Sequence, residues 1–293
     1  MHRKFWNSLH LSFTIQPRGP LLVKSGMVSV NPSLPDMQFV RTSTPEGETV
    51  FIPGSSLKGV FRSFTEKVLR TMGEDKACDP LDKEKNCVRK KNLQGCTETA
   101  EVYRKSCSAC KIYGNTRLRG RVAFTDAFPE GNWKTEVRHG VAISRLTNAV
   151  AVGPFDMEVL VEGSFSGSLV LENFEIWQLG LLGLTIRFLN EGLVRIGFGK
   201  SRGFGEVRCQ VKEATFTMAG RNLPKDVLWG AGIFASTSER EAYNLRKDDL
   251  LSPVPEGKRE DLGISTRITY GPEEWERILE GATRALHVLE GSS

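Results

Sequence analysis

Phe5, Leu9, Leu11, Phe13 and Ile15 are apolar, and Ser8, His10, Ser12 and Thr14 alternate with them, the period of two that marks a half-buried strand. Residues 17–49 are studded with Pro, Gly and Ser and show neither period, so a long loop is expected, and a loop of that length in a compact domain is functional or mobile. Leu57, Val60, Phe61, Phe64 and Val68 then recur at helical spacing and predict a helix over about 57–71, with Ser55 or Ser56 as its N-cap and Lys58, Arg62 and Lys67 on its polar face. Residues 73–110 form a charged insertion. A strand-like stretch at 119–127, a loop at 128–154 and strands at 157–161 and 165–171 flanking Glu162-Gly163-Ser164 come next. Asn173 is placed to cap a second helix, about 174–190, which is apolar nearly all round, hence buried, and stopped by Gly192. A strand pair is expected to bracket the glycine loop 197–205, with alternation over 207–216 after it. Beyond Met218 the sequence is mixed until a helix at 272–289 opened by Pro272 and Glu273, and this tail reads as an appendage.

The order strand, helix, strands, helix, strand predicts an α+β protein: a ferredoxin-like sandwich, enlarged by insertions, that buries one sheet face on two helices. The chain of 293 residues, 39% hydrophobic and 26% charged with 16 Phe and 5 Trp, is long enough to bury a core without staples. No stretch of 18 apolar residues exists, since the richest run, 174–189, is broken by Glu175, Gln178 and Arg187, so no membrane partner is expected. The basic start, with Arg3 and Lys4, leads into alternation with Ser and Thr and not into an apolar signal core, which points to a cytoplasmic protein with reduced cysteines. Net charge is +5, but the chain up to Thr217 holds 30 basic against 22 acidic residues and the remainder 10 against 13. The basic part suits a polyanion partner through counterion release, or else is an ordinary solvated surface.

Cys78, Cys87, Cys96, Cys107 and Cys110 crowd the insertion and end in Cys-Ser-Ala-Cys. Thiolates two residues apart can grip one tetrahedral zinc, and an upstream pair closes the site. Five candidates compete for four places: Cys78, Cys87, Cys107 and Cys110 are the expected set and Cys96 the alternate, against the plainer reading of free thiols. Cys209, alone in a strand, reads as core. The loop 197–205 sets Lys200 and Arg202 among four glycines, a composition that lets backbone and charge approach phosphates, or that makes a tight turn. It lacks the Walker spacing, which argues against nucleotide hydrolysis. His2, His10, His139 and His287 form no ligand spacing, and only His139 lies in a basic loop, beside Arg138. No nucleophile–histidine arrangement is recognisable. Asp36, in the first loop, either caps a turn or holds Mg²⁺ beside an RNA backbone and helps a 2′-hydroxyl attack phosphorus.

Taken together, Phe51-Ile-Pro-Gly-Ser-Ser-Leu-Lys-Gly59 with Arg62, Cys107-Ser-Ala-Cys-Lys-Ile-Tyr-Gly114, Asp126-Ala127, Ser144-Arg-Leu-Thr147 and the glycine loop resemble, in order, the CRISPR-associated RAMP superfamily, above all the type III backbone subunits that polymerise along guide RNA. The resemblance covers about residues 5–216. It implies a ferredoxin-like (RRM-like) palm over 1–217 with a zinc-binding insertion at about 73–114 and a thumb hairpin at about 130–155, followed by an extension over 218–293. It also implies that Ser55, Ser56, Lys58, Arg62, Lys200 and Arg202 hold the guide backbone, and that Arg138, His139 and Arg145 lie on the thumb that spaces guide and target. Asp36 falls on the family's metal-dependent cleaving aspartate, although Val30-Asn31-Pro32 replaces the family's Gly-Gly turn. The implied function is a subunit that binds guide RNA, cuts complementary target RNA, and assembles with other type III subunits and further copies of itself. A non-catalytic backbone subunit and a guide-processing endoribonuclease with a histidine base are the alternatives.

Overall fold

A computed structural model describes residues 3–26, 34–221 and 223–289; His2 and Val30-Asn31-Pro32 lie outside them. The alternation at the start becomes a strand, Asn7–Pro17, whose Leu9, Leu11, Phe13 and Ile15 are buried while His10 on the other face is exposed. This strand is the middle of an antiparallel sheet. Phe165–Glu172 pairs along one side and Val207–Ala219 along the other, so that Leu9 faces both Leu171 and Phe216. Val122–Phe124 and Phe128–Pro129 pair with the far edge of Phe165–Glu172. Helix Gly54–Met72 joins the first strand to Val122–Phe124, and helix Ile176–Asn190 joins Phe165–Glu172 to Val207–Ala219. Both lie over the apolar face, with Phe61 of the first helix 4.9 Å from the Phe124 ring. The second helix is buried on nearly every side, as its composition requires. The result is a mixed α/β fold on antiparallel sheets.

The segment after Met218, expected as an appendage, belongs to the same core. Ser265–Tyr270 extends the sheet beside Val207–Ala219, and Lys258–Asp261 adds a further strand outside it. Helix Pro272–Arg284, prolonged by a 3-10 turn over Ala285–Leu289, buries Trp275 against Phe216. It approaches the second helix so closely that a Cβ on Gly180 would strike the carbonyl of Ala282.

Several local expectations are corrected. Pro53 occupies the cap position of the first helix, which places Ser55 and Ser56 inside its first turn. The second helix is capped by Glu175 in a reciprocal box with Gln178. Asn173 instead takes a left-handed conformation and ties down the chain start, accepting from the Trp6 N–H and donating to the Lys4 carbonyl. The expected loop at 17–49 contains a small hairpin, Arg41–Thr44 with Gly47–Val50. The expected loop at 128–154 is mostly a long hairpin, Lys134–Ile143 with Val150–Glu162. The strands on either side of Glu162-Gly163-Ser164 therefore belong to different sheets. Only the downstream strand of the pair expected around the glycine loop exists, because residues 194–196 are irregular. No helix among the described residues is long and apolar enough to cross a membrane.

Candidate RNA interface and metal centre

The insertion has three short helices, Cys87–Lys90, Thr99–Lys105 and Ser108–Tyr113, and buries Leu93, Val102, Tyr103, Ile112 and Tyr113. It also gathers four sulfurs. Cys107 stands at the start of the last of these helices and Cys110 sits one turn in, so both thiols point the same way. Cys87 opens another helix and Cys78 follows the first long one. All four are buried, and their Sγ atoms lie within 4.8 Å of one another. Cys78 and Cys110 Sγ are 3.6 Å apart, and a tetrahedral zinc with Zn–S bonds of about 2.3 Å would hold its sulfurs about 3.8 Å apart. The backbone N–H of Cys78 donates to Cys107 Sγ at 3.4 Å and that of Cys107 to Cys87 Sγ at 3.2 Å, contacts that favour thiolates. Hydrogen bonds from Cys110, Cys78 and Cys87 hold Cys107 far below the ordinary thiol range, and the ionised Cys107 pushes Cys110 up. Buried thiolate donors at tetrahedral spacing are the donor set of a metal such as zinc. Cys96 stays outside the cluster, its thiol directed at the Asn92 carbonyl and near Lys105 Nζ. Cys209 is buried alone in its strand, and burial pushes its thiol up to about 12.

The first helix begins against Asp126, whose Oδ1 accepts the Gly54 N–H at 2.7 Å. Only glycine fits there, because a Cβ would meet the Phe124 carbonyl at 2.5 Å. Ser55 is exposed, and Ser56 and Lys58 are half-buried. Burial, and then Arg62, hold Lys58 below the ordinary ammonium range. Arg62 itself is turned inward. It donates to Glu66 Oε1 at 2.8 Å and to the Gly114 carbonyl at 3.1 Å, and its third nitrogen lies 3.7 Å from Cys110 Sγ. The residue expected among those gripping a guide strand thus braces the cysteine cluster.

Across from this helix, the glycine loop is stapled to the segment after the first strand: Phe198 N–H donates to Leu22 and Gly205 N–H to Pro20. Gly205 has φ +80° and a Cβ there would strike the Ile196 carbonyl, so this glycine is required by the turn itself. Lys200 and Arg202 project from the exposed tip, where Arg202 lies 4.9 Å above the Phe198 ring. Burial, and then the positive charge of Lys67 on the first helix, lower Lys200. Loop and helix therefore present cations to a common face.

Asp36 is exposed where its loop meets the long hairpin. Its Oδ2 accepts the Asp156 N–H at 3.0 Å, and Asp156 Oδ1 lies 2.7 Å from His139 Nδ1 on the facing strand. An ionised carboxylate can only accept, so Nδ1 donates in this pair, and in the neutral ring Nε2 is then the acceptor nitrogen. The loop is held in register by Met37 N–H donating to Asp156 and by Glu158, which accepts from the Phe39 N–H at 3.0 Å and pairs with Arg41. Arg138 is paired with Glu136, and Arg145 lies exposed at the hairpin tip, apart from this cluster. The sequence reading missed Asp156, although Phe155, Met157 and Val159 alternate with Asp156 and Glu158 and so carry the strand signal upstream of 157.

The family profile of the RAMP superfamily matches residues 14–208, and the chain belongs to that superfamily. Its class is therefore that of the CRISPR-associated RNA-binding subunits. The match ends within the strand after the glycine loop, so the sheet extension and terminal helix lie outside it. No curated protein matches the chain.

Proposed function

We propose that this protein is a guide-RNA-binding backbone subunit of a type III CRISPR effector complex and that it cuts complementary target RNA at Asp36. The strand order, with both joining helices on one face, supports a ferredoxin-like palm; the four-cysteine cluster supports a structural zinc in the insertion, and the projecting hairpin supports a thumb. Ser55, Ser56 and Lys58 on the first helix and Lys200 and Arg202 on the loop form the cationic face for the guide phosphates, with sequence read by base pairing. Arg62 contributes through the metal centre it braces. Neighbouring copies and other effector subunits would continue the groove.

The observation that carries cleavage is the meeting of Asp36 with the Asp156–His139 pair at the root of the hairpin. Hard carboxylate oxygens suit Mg²⁺, which Asp36 would hold beside the RNA backbone and which would neutralise phosphate charge when bound. In this reading His139 Nε2 takes the proton of the ribose 2′-hydroxyl as its oxygen attacks phosphorus and the 5′-oxygen leaves with the bond electrons. Asp156 fixes the tautomer and stabilises the imidazolium.

The test is a reconstituted ribonucleoprotein given labelled complementary RNA and Mg²⁺. Asp36→Ala should bind guide and target normally and cut at least 100-fold more slowly, and His139→Ala should cut 10- to 1,000-fold more slowly, on the order of a lost general base. Asp36→Ala cutting like wild type would remove the catalytic assignment. A wild-type complex that binds target and never cuts would leave the non-catalytic backbone role, and cutting confined to unpaired guide precursors would favour the processing role.

A further inference from the structure

A second charged site lies away from the hairpin and borders the cysteine cluster, with Cys107 in its wall. The end of the first helix, the insertion, the start of the second helix and the loop 244–248 of the C-terminal extension enclose a cavity of about 630 Å³. Its wall holds seven basic side chains against three acidic ones. Two of those acids are already engaged: Asp248 pairs with Arg246 at 2.8 Å, and Glu175 accepts the Tyr103 hydroxyl at 2.7 Å. Lys105 is paired with Glu101. Lys76, Lys91, Arg104, Lys111 and Lys247 form no ion pair among the described residues, so they concentrate uncompensated positive charge on one concavity.

The cavity is built by the fold and is not a chance gap between loops. Asp249, buried directly after the lining loop, accepts the N–H groups of Ile176 and Gly232 and so pins that loop to the start of the second helix. On the opposite wall Lys111 Nζ sits 5.2 Å above the Tyr103 ring, whose other cationic neighbour is Arg121 at 4.2 Å. Trp177 adds an aromatic side to the lining.

We propose that this cavity binds the phosphates of a ribonucleotide, either a free nucleoside triphosphate or the phosphorylated end of a single RNA strand. Its size is that of a small-ligand pocket, its excess charge suits two or three phosphates, and the mixed Lys/Arg lining gives both point charges and forked donors. The site involves none of the residues assigned to the guide face or to cleavage.

The test uses the purified full-length chain with two probes, ATP and a 5′-phosphorylated ten-nucleotide oligouridylate. Lys91→Gln/Lys247→Gln, two outer positions, and Lys111→Gln, an inner one, are compared with Lys212→Gln on an exposed strand position, with bound-metal content confirming the fold. At least one probe should bind wild type saturably and lose at least tenfold in affinity in the Lys91/Lys247 variant, while Lys212→Gln stays within twofold. A drop seen with ATP identifies a nucleotide site; a drop seen only with the RNA identifies a strand end. No binding of either probe, equal binding by wild type and the Lys91/Lys247 variant, or the same drop in Lys212→Gln overturns the proposal.

Discussion

The cysteine insertion and the long hairpin both leave the central sheet between its first strand and Phe165–Glu172, yet they hold their shapes by different means. The insertion has helices of four, seven and six residues, too short to persist alone, and it turns inward: Cys78, Cys87, Cys107, Cys110, Val102 and Tyr103 are buried together. The hairpin is an antiparallel ladder from Lys134–Glu162 to Ile143–Val150, its register shifting near the root and around Gly140 to Ile143, that turns outward, leaving Val141, Ile143, Val150 and Val152 exposed and Leu146 at its tip 96% exposed. A two-stranded ribbon is marginal by itself, and this one is anchored at its root by Asp36, Met37 and Glu158. One excursion turns four thiols inward, a donor set for a metal, whereas the other turns apolar side chains outward.

The strongest way to break this contrast is to strip the metal. Chelation, or Cys107→Ala, should unfold residues 73–114 with a loss on the order of 10 kcal/mol of site binding energy, read as loss of hydrogen-exchange protection there while the hairpin ladder stays protected. Equal loss in both regions would erase the distinction. A smaller effect is expected from Arg62→Ala, which removes the donor to Glu66, Gly114 and Cys110: about 1–3 kcal/mol of stability and roughly 10–100-fold in metal affinity, measured by melting and competitive chelation.

Acidity sharpens the comparison further. The insertion leans through Tyr103 on Glu175, and beside it burial, then Glu175, raises Asp249 to about 7. The folded state therefore holds a proton that the unfolded state releases near 3.8, the ordinary aspartate value, so stability is greatest below that value and falls as pH rises towards 7, at up to about 1.4 kcal/mol per unit. Asp249→Asn should flatten this slope in denaturant titrations, and a slope unchanged by the substitution would assign the dependence elsewhere. Least of all, Leu146→Asp at the hairpin tip should move stability by no more than about 0.5 kcal/mol while weakening assembly of the ribonucleoprotein in sedimentation. A large stability loss would mean that the tip is held by its own chain.

How much was readable in advance followed from how local each cause is. The alternation of Leu9 to Ile15, the 3.6-residue spacing from Leu57 to Val68 and the apolar second helix each predict an element from its own side chains, and each formed. The four zinc candidates were legible because two thiols one helical turn apart constrain each other before any fold exists. Periodicity alone read the hairpin as a loop, and only the family resemblance implied a thumb hairpin at about 130–155, because both of its faces are largely solvated, so it lacks the one-sided apolar period that marks a half-buried strand, and Gly140, Gly153 and Pro154 read as loop punctuation. The caps were off by two or three residues, because Pro53 starts the first helix through its backbone and Glu175 caps the second through a reciprocal box with Gln178, where Ser and Asn are the usual signals.

The amino-acid order alone settled the first strand and the two long helices, that five cysteines share one polar insertion, and that positive charge gathers before Thr217. Tertiary structure decided the rest. Asp36 and Asp156 are 120 positions apart and meet only because the loop zips to the hairpin. Arg62 faces inward because the folded insertion places Cys110 and Gly114 beside it, and the tail became core when Trp275 found Phe216. Periodicity is written in neighbours along the chain, whereas pairing, burial of charge and the company a carboxylate keeps depend on contacts that exist only after the chain has closed on itself.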